Sequence, residues 1–83
     1  MTDQEIRDTV GEAIRAVAPE ADVAGVPDGA SLRDELDLDS MDMLNVAIGL
    51  HERLGVELGE EDYPELVTIA GCIALVRRKE AAA

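Results

Sequence analysis

The chain has 83 residues, of which 19 are acidic and 7 basic, for a formal charge of −12, and its only aromatic is one Tyr. That length implies one small domain, expected over residues 1–83 with a tail fraying from about 80 to 83. The charge excludes a nucleic-acid binder, which needs a basic patch, argues against docking on anionic membrane, and favours partners with basic surfaces.

Thr2 and Glu5 have capping-box spacing, and Ile6, Val10, Ala13, Ile14 and Val17 then fall on one helical face. Pro19 ends the pattern, so the spacing predicts a first helix over about residues 3–17. Residues 19–39 read as a long loop punctuated by Pro19, Gly25, Pro27 and Gly29. Loops of that length are functional or tied down, and Val23, Val26, Leu32 and Leu36 are the residues to tie it, with a helical turn at Arg33-Asp34-Glu35.

A second helix is expected over about 40–54. Asp39 or Ser40 can cap it, Asp42 suits its positive end, and Gly55 can stop it in a left-handed conformation. It carries two apolar stripes: Met43, Val46, Ala47, Leu50 and Leu54 form one, Met41, Leu44 and Ile48 the other. A small core cannot easily bury both, which makes the second a candidate partner surface. Within 59–65 only a short helix is expected, with Pro64 in its first turn. Thr68 caps a last helix that places Ile69, Cys72, Ile73 and Val76 on one face and Arg77, Arg78 and Lys79 at its negative end. The expected class is all-α: a small bundle of three long helices and one short one, with a long loop between the first two long helices.

Several chemistries find no support in the residues. The single cysteine, Cys72, cannot form an internal disulfide and reads as packing, which suits a reducing compartment. No run of apolar residues is long enough for a membrane span, and the first residues lack the pattern of a signal peptide, so a cytoplasmic location is expected. Zinc-ligand spacing and a phosphate-binding glycine loop are both missing. A calcium loop begun at Asp37 fails at Met41, Asp42 and Ile48; crowded carboxylates would bind divalent ions only weakly. His51, the one histidine, reads as a solvated helix residue too far along the second helix to activate Ser40, so no catalytic residue is assigned.

Ala30-Ser31-Leu32, Glu35-Leu36, Asp39-Ser40-Met41-Asp42, Gly55-Val56-Glu57-Leu58 and Leu66-Val67-Thr68-Ile69 together resemble the acyl carrier proteins over nearly the whole chain. The Asp-Ser-Met triplet alone is a weak signal; with the spacing, length, acidity and helix pattern it is strong. The resemblance implies that Ser40 is the attachment point of a 4'-phosphopantetheine arm drawn from coenzyme A. It implies that Asp39, Met41, Asp42, Leu44, Ile48 and Glu52 face partner enzymes. The implied partners are a phosphopantetheinyl transferase and acyl-transferring or acyl-activating enzymes with basic docking patches, meeting a monomeric carrier that is not itself an enzyme. A cleft between the second helix and the short one, able to shelter an acyl chain, is likewise implied.

Two features depart from the family pattern. Asp37 stands where the family often has glycine, and Asn45, His51 and Arg53 dilute the usual acidity of the second helix. A dedicated pathway is therefore as open as fatty-acid or polyketide synthesis. Two alternatives stand beside the acyl carrier: a peptidyl or aminoacyl carrier with the same arm, and an unmodified helical adaptor that binds through Met41, Leu44 and Ile48. For an isolated Asp-Ser pair before a helix, Ser40 would be a plain N-cap.

Overall fold

The structure, a computed structural model, describes residues 1–82. It is all-helical: α1 runs Asp3–Val17, α2 Leu32–Glu35, α3 Ser40–Leu54 and α4 Ile69–Ala82, with 3₁₀ segments at Val23–Gly25 and Glu60–Val67. The expected tail is thus helical through Ala82, and Ala83 lies outside the described residues.

Local chemistry sets the helix ends. At α1, Thr2 Oγ1 accepts from the Glu5 amide at 3.1 Å, and the Glu5 carboxylate accepts from the Thr2 amide at 2.9 Å. Four orphan amides open any helix, and this reciprocal box satisfies two of them while fixing the chain's entry. At the far end of α3, Gly55 takes φ 68°, and its amide bonds the His51 carbonyl at 2.8 Å. A side chain there would crowd the backbone, which is why glycine stops the helix cheaply. Thr68 Oγ1 caps α4 by accepting from the Gly71 amide at 2.9 Å.

α1 packs against both α3 and α4, and the 3₁₀ segment Glu60–Val67 packs on α4 and α3. Ile6, Val10, Ala13 and Ile14 of α1 are buried against Val46, Ala47 and Leu50 of α3 and Ile69, Cys72, Ile73, Leu75 and Val76 of α4. The aliphatic side chains that helical spacing places on one face therefore share one core, each fully buried Ile, Leu or Val contributing about 1.5–3 kcal/mol.

The connection expected as a long loop carries a 3₁₀ turn and the one-turn α2, with Ser31 as its cap. Val23, Val26, Leu32 and Leu38 are buried and Leu36 partly so. Asp28 ties the middle: its carbonyl accepts from the Ala70 amide at 2.9 Å, and its carboxylate pairs with Arg7. These anchors explain how so long a stretch stays on the surface of a small domain without fraying.

One expectation is corrected. Pro64 does not fall in the first turn of a short helix; it is the fifth residue of an eight-residue 3₁₀ segment. Proline's ring clashes with the carbonyl four residues back in an α-helix, and this stretch avoids α-winding. The segment is held instead by contacts to α4. The Asp62 carboxylate, buried at 6 % exposure, accepts from the Gly59 amide at 3.1 Å and pairs with Lys79 at 3.0 Å. Arg78 donates to Glu65 at 3.0 Å, and Arg77 pairs with Asp3 of α1. The three cations expected to complement the helix dipole are thus also cross-links between elements. Closest of all is Gly71, where a Cβ would stand 2.0 Å from the Glu65 carbonyl oxygen.

Candidate functional site

The chain has two serines, Ser31 and Ser40. Ser31 is occupied, since its Oγ accepts from the Asp34 amide at 3.3 Å to cap α2. Ser40 is not. Asp39 caps α3 with its carboxylate 2.8 Å from the Asp42 amide, and Asp42 returns the bond to the Asp39 amide at 3.1 Å. Ser40 is therefore the first residue inside α3 rather than its N-cap, and it is exposed. Among the described residues no hydrogen bond uses its hydroxyl.

This division of labour rests on local chemistry. Aspartate is as strong an N-cap as serine, and two carboxylates three residues apart can serve each other's backbone. The hydroxyl between them is left over. Asp39 and Asp42 each commit one oxygen to the box. The positive end of the fifteen-residue α3 favours negative charge at this point.

Just before α3, Asp37 holds φ 56°, the left-handed region. Aspartate tolerates that region better than most residues, and glycine tolerates it without strain. The turn it makes buries Leu38 at 6 % exposure and delivers the chain to Asp39.

A cleft of about 220 Å³ opens beside Ser40, between α3 and the segment Glu60–Val67, lined by Arg33, Ser40, Met43, Leu44, Tyr63, Leu66 and Val67. Leu66 is buried and closes the floor; Ser40, Arg33 and Val67 are exposed at the rim. Most of the lining is apolar, so the space suits a short aliphatic or mixed group better than an ion.

The other expected residues of α3 divide. Met41 is 64 % exposed and Ile48 46 %, whereas Leu44 is half-buried in the cleft. The three fall on one side of the helix, and the stripe that reaches the core is the other one, Val46, Ala47 and Leu50. Glu52 is exposed one turn beyond Ile48. Asp39, Ser40, Met41 and Asp42 are brought together at the helix start; Ile48 and Glu52 lie farther along. His51 is exposed, and its Nδ1 bonds the Val56 carbonyl at 2.6 Å, which leaves it a local task at the far end of α3. Cys72 is fully buried, and burial pushes its thiol up to about 12, so it is inert packing.

Arg33 and Tyr63 are cleft residues that sequence pattern did not assign to the site. A signal for Arg33 was present: it is the one cation between Arg15 and Arg53, in a stretch rich in aspartate and glutamate. Among the described residues no three or more metal-ligating side chains gather into a group, and no helix is long and apolar enough to cross a membrane.

Residues 4–76 match the family model described as the phosphopantetheine attachment site. An acyl carrier protein of Thermobifida fusca is 30 % identical over 77 residues, covering 93 % of this chain and 96 % of that protein. The polyketide-8 synthase acyl carrier protein 2 of Streptomyces avermitilis is 28 % identical over 92 % of this chain and 82 % of its own length. The meromycolate extension acyl carrier protein of Mycolicibacterium aurum is 32 % identical over 60 % of this chain and 52 % of its own length.

Proposed function

The chain belongs to the phosphopantetheine-bearing acyl carrier proteins, and on that premise we propose that Ser40 carries the arm and that the start of α3 presents it to partner enzymes. The observation that carries this reading is the contrast between the two serines: one hydroxyl is consumed as a cap, the other is exposed and, among the described residues, unbonded at the first position of a long helix.

The protein is a carrier and not a catalyst. Its one histidine lies eleven residues beyond Ser40 on the same helix, about 16 Å along the axis. Activation of the serine hydroxyl therefore falls to a separate transferase that draws the arm from coenzyme A. Once attached, the arm supplies a terminal thiol that holds cargo as a thioester. This chain's own residues do the rest. The capping box fixes where Ser40 stands, the positive end of α3 favours a phosphate there, and the cleft lined by Met43, Leu44, Tyr63, Leu66 and Val67 offers apolar cover.

Acyl intermediates are the cargo we assign, for fatty-acid, polyketide or a dedicated pathway. In support, the similar proteins named above are acyl carriers by name. Delivery requires docking that is fast and brief, and charge steering suits both. The chain's charge of −12 would draw it to enzymes with basic patches, and exposed Met41 and Ile48 give them an apolar contact. Asp39, Asp42, Leu44 and Glu52 complete the surface we assign to docking. We place the carrier in the cytoplasm as a monomer, one domain over residues 1–83 with a three-long-helix carrier architecture.

The test is to incubate the protein with coenzyme A and a broad-specificity phosphopantetheinyl transferase and to locate the modification by peptide mass spectrometry. The arm is expected on Ser40. An arm on Ser31, or none after several transferases, overturns the assignment.

A further inference from the structure

The cleft beside Ser40 holds one cation, Arg33, and its position goes beyond what attachment of an arm requires. Arg33 Nε donates to the Leu38 carbonyl at 3.3 Å, which folds the guanidinium over the loop that delivers Ser40. Arg33 and Ser40 line the same cleft, both from its exposed rim. The neighbouring carboxylates do not take the charge. Asp39 and Asp42 are bound into the capping box, and among the described residues Arg33 forms no ion pair with Asp34, Glu35 or Asp37.

A guanidinium presents five N–H donors in a planar fork that matches phosphate oxygens, and among the described residues only the Nε one is used here. In a loop this acidic, an arginine beside the helix start offsets the repulsion that Asp37, Asp39 and Asp42 would exert on an incoming phosphate.

We propose that Arg33 is a positioning residue for the arm: its guanidinium pairs with the phosphodiester formed on Ser40 and turns the arm toward the cleft between α3 and Glu60–Val67. This inference rests on the assignment of the arm to Ser40. An exposed pair of this kind is weak and screened by salt, so it biases the arm's direction without locking it, as a carrier that must release its arm into partners requires.

The test uses the loaded full chain of the wild type, Arg33→Gln and Arg33→Lys. Intact and peptide mass first confirm one arm on Ser40 in each; an unloaded chain, or an arm elsewhere, overturns the site assignment and this inference with it. Phosphorus NMR then reads the diester, and nitrogen NMR reads the Arg33 Nε–H before and after loading. The expected result is a shift of the Arg33 Nε–H on loading. The phosphorus resonance should be displaced in Arg33→Gln and partly restored in Arg33→Lys, a difference that fades at high salt. Backbone amide spectra of the unloaded variants should match the wild type away from residue 33. Coincident phosphorus resonances in all three proteins, or an Arg33 Nε–H that ignores loading, would overturn it.

Discussion

α3 and α4 are nearly equal in length, 15 and 14 residues, yet they spend their side chains differently. α4 buries Ile69, Cys72, Ile73, Leu75 and Val76 and ties its charged end to Asp3, Asp62 and Glu65. α3 buries Val46, Ala47 and Leu50 and leaves Ser40, Met41 and Ile48 to solvent. The difference separates two tasks. α4, with α1, holds the fold, and the front of α3 is supported from behind so that its outer face stays free. On the proposed reading that free face is the docking surface, and the stripe of α3 anchored in the core holds it in place.

The largest expected effect falls on α4. Gly71→Ala places a methyl against the Glu65 carbonyl and should cost about 3 kcal/mol as overpacking of backbone on backbone. Chemical denaturation reads it, and an unchanged midpoint would mean that the 3₁₀ segment yields freely. On α3 the contrast can be drawn within one helix. Leu50→Ala should cost about 3 kcal/mol, from lost burial and the cavity left behind, while Ile48→Ala should stay within about 0.5 kcal/mol. Similar costs at both positions would erase the distinction between the two faces.

Asp39→Ala removes the cap of α3 and should cost about 1 kcal/mol, seen as a lower melting temperature with helicity lost from the front of that helix. The smallest effect concerns acid. The Lys79 ammonium, with the Gly59 amide, holds the Asp62 carboxyl below its ordinary value of 3.8. Arg78 does the same for Glu65, below 4.5. A carboxyl with a lowered folded pKa binds protons more readily when unfolded. Its contribution is therefore complete above the unfolded value and fades as pH falls through the folded one. Asp62→Asn should accordingly melt below the wild type near neutrality and converge with it under pH 3.8. A constant gap across that range would mean that the Lys79 pair does not hold the Asp62 carboxyl down.

Helix ends were the most legible part of the sequence because their chemistry is local. Thr2 with Glu5 and Gly55 each act within one turn, and α1 and α3 run over the residues that pattern predicts. Burial of Val23, Val26 and Leu32 was legible for the same reason, as isolated apolar residues in a polar stretch. Tertiary approaches were not. Nothing near Gly71 signals the Glu65 carbonyl, and nothing near Asp62 signals that an aspartate in an acidic run is buried by a lysine from another element. The 3₁₀ winding around Pro64 depends on those contacts and was hidden with them. At the site, Ser40 stood out by motif, but that Asp39 rather than Ser40 caps the helix needed coordinates. So did the placement of Arg33, which sequence shows only as one charge among many.

On the proposed reading Ser40 is free of structural duty and therefore available for the arm. The most direct test puts Ser40→Ala through two readings on one sample: a thermal melt, and intact mass after incubation with coenzyme A and a transferase. The melt should stay within about 0.5 kcal/mol of the wild type, because the cap belongs to Asp39, while the mass gain is lost completely. A melt lowered by the cost of a lost cap, or a mass gain that persists on another residue, would contradict it.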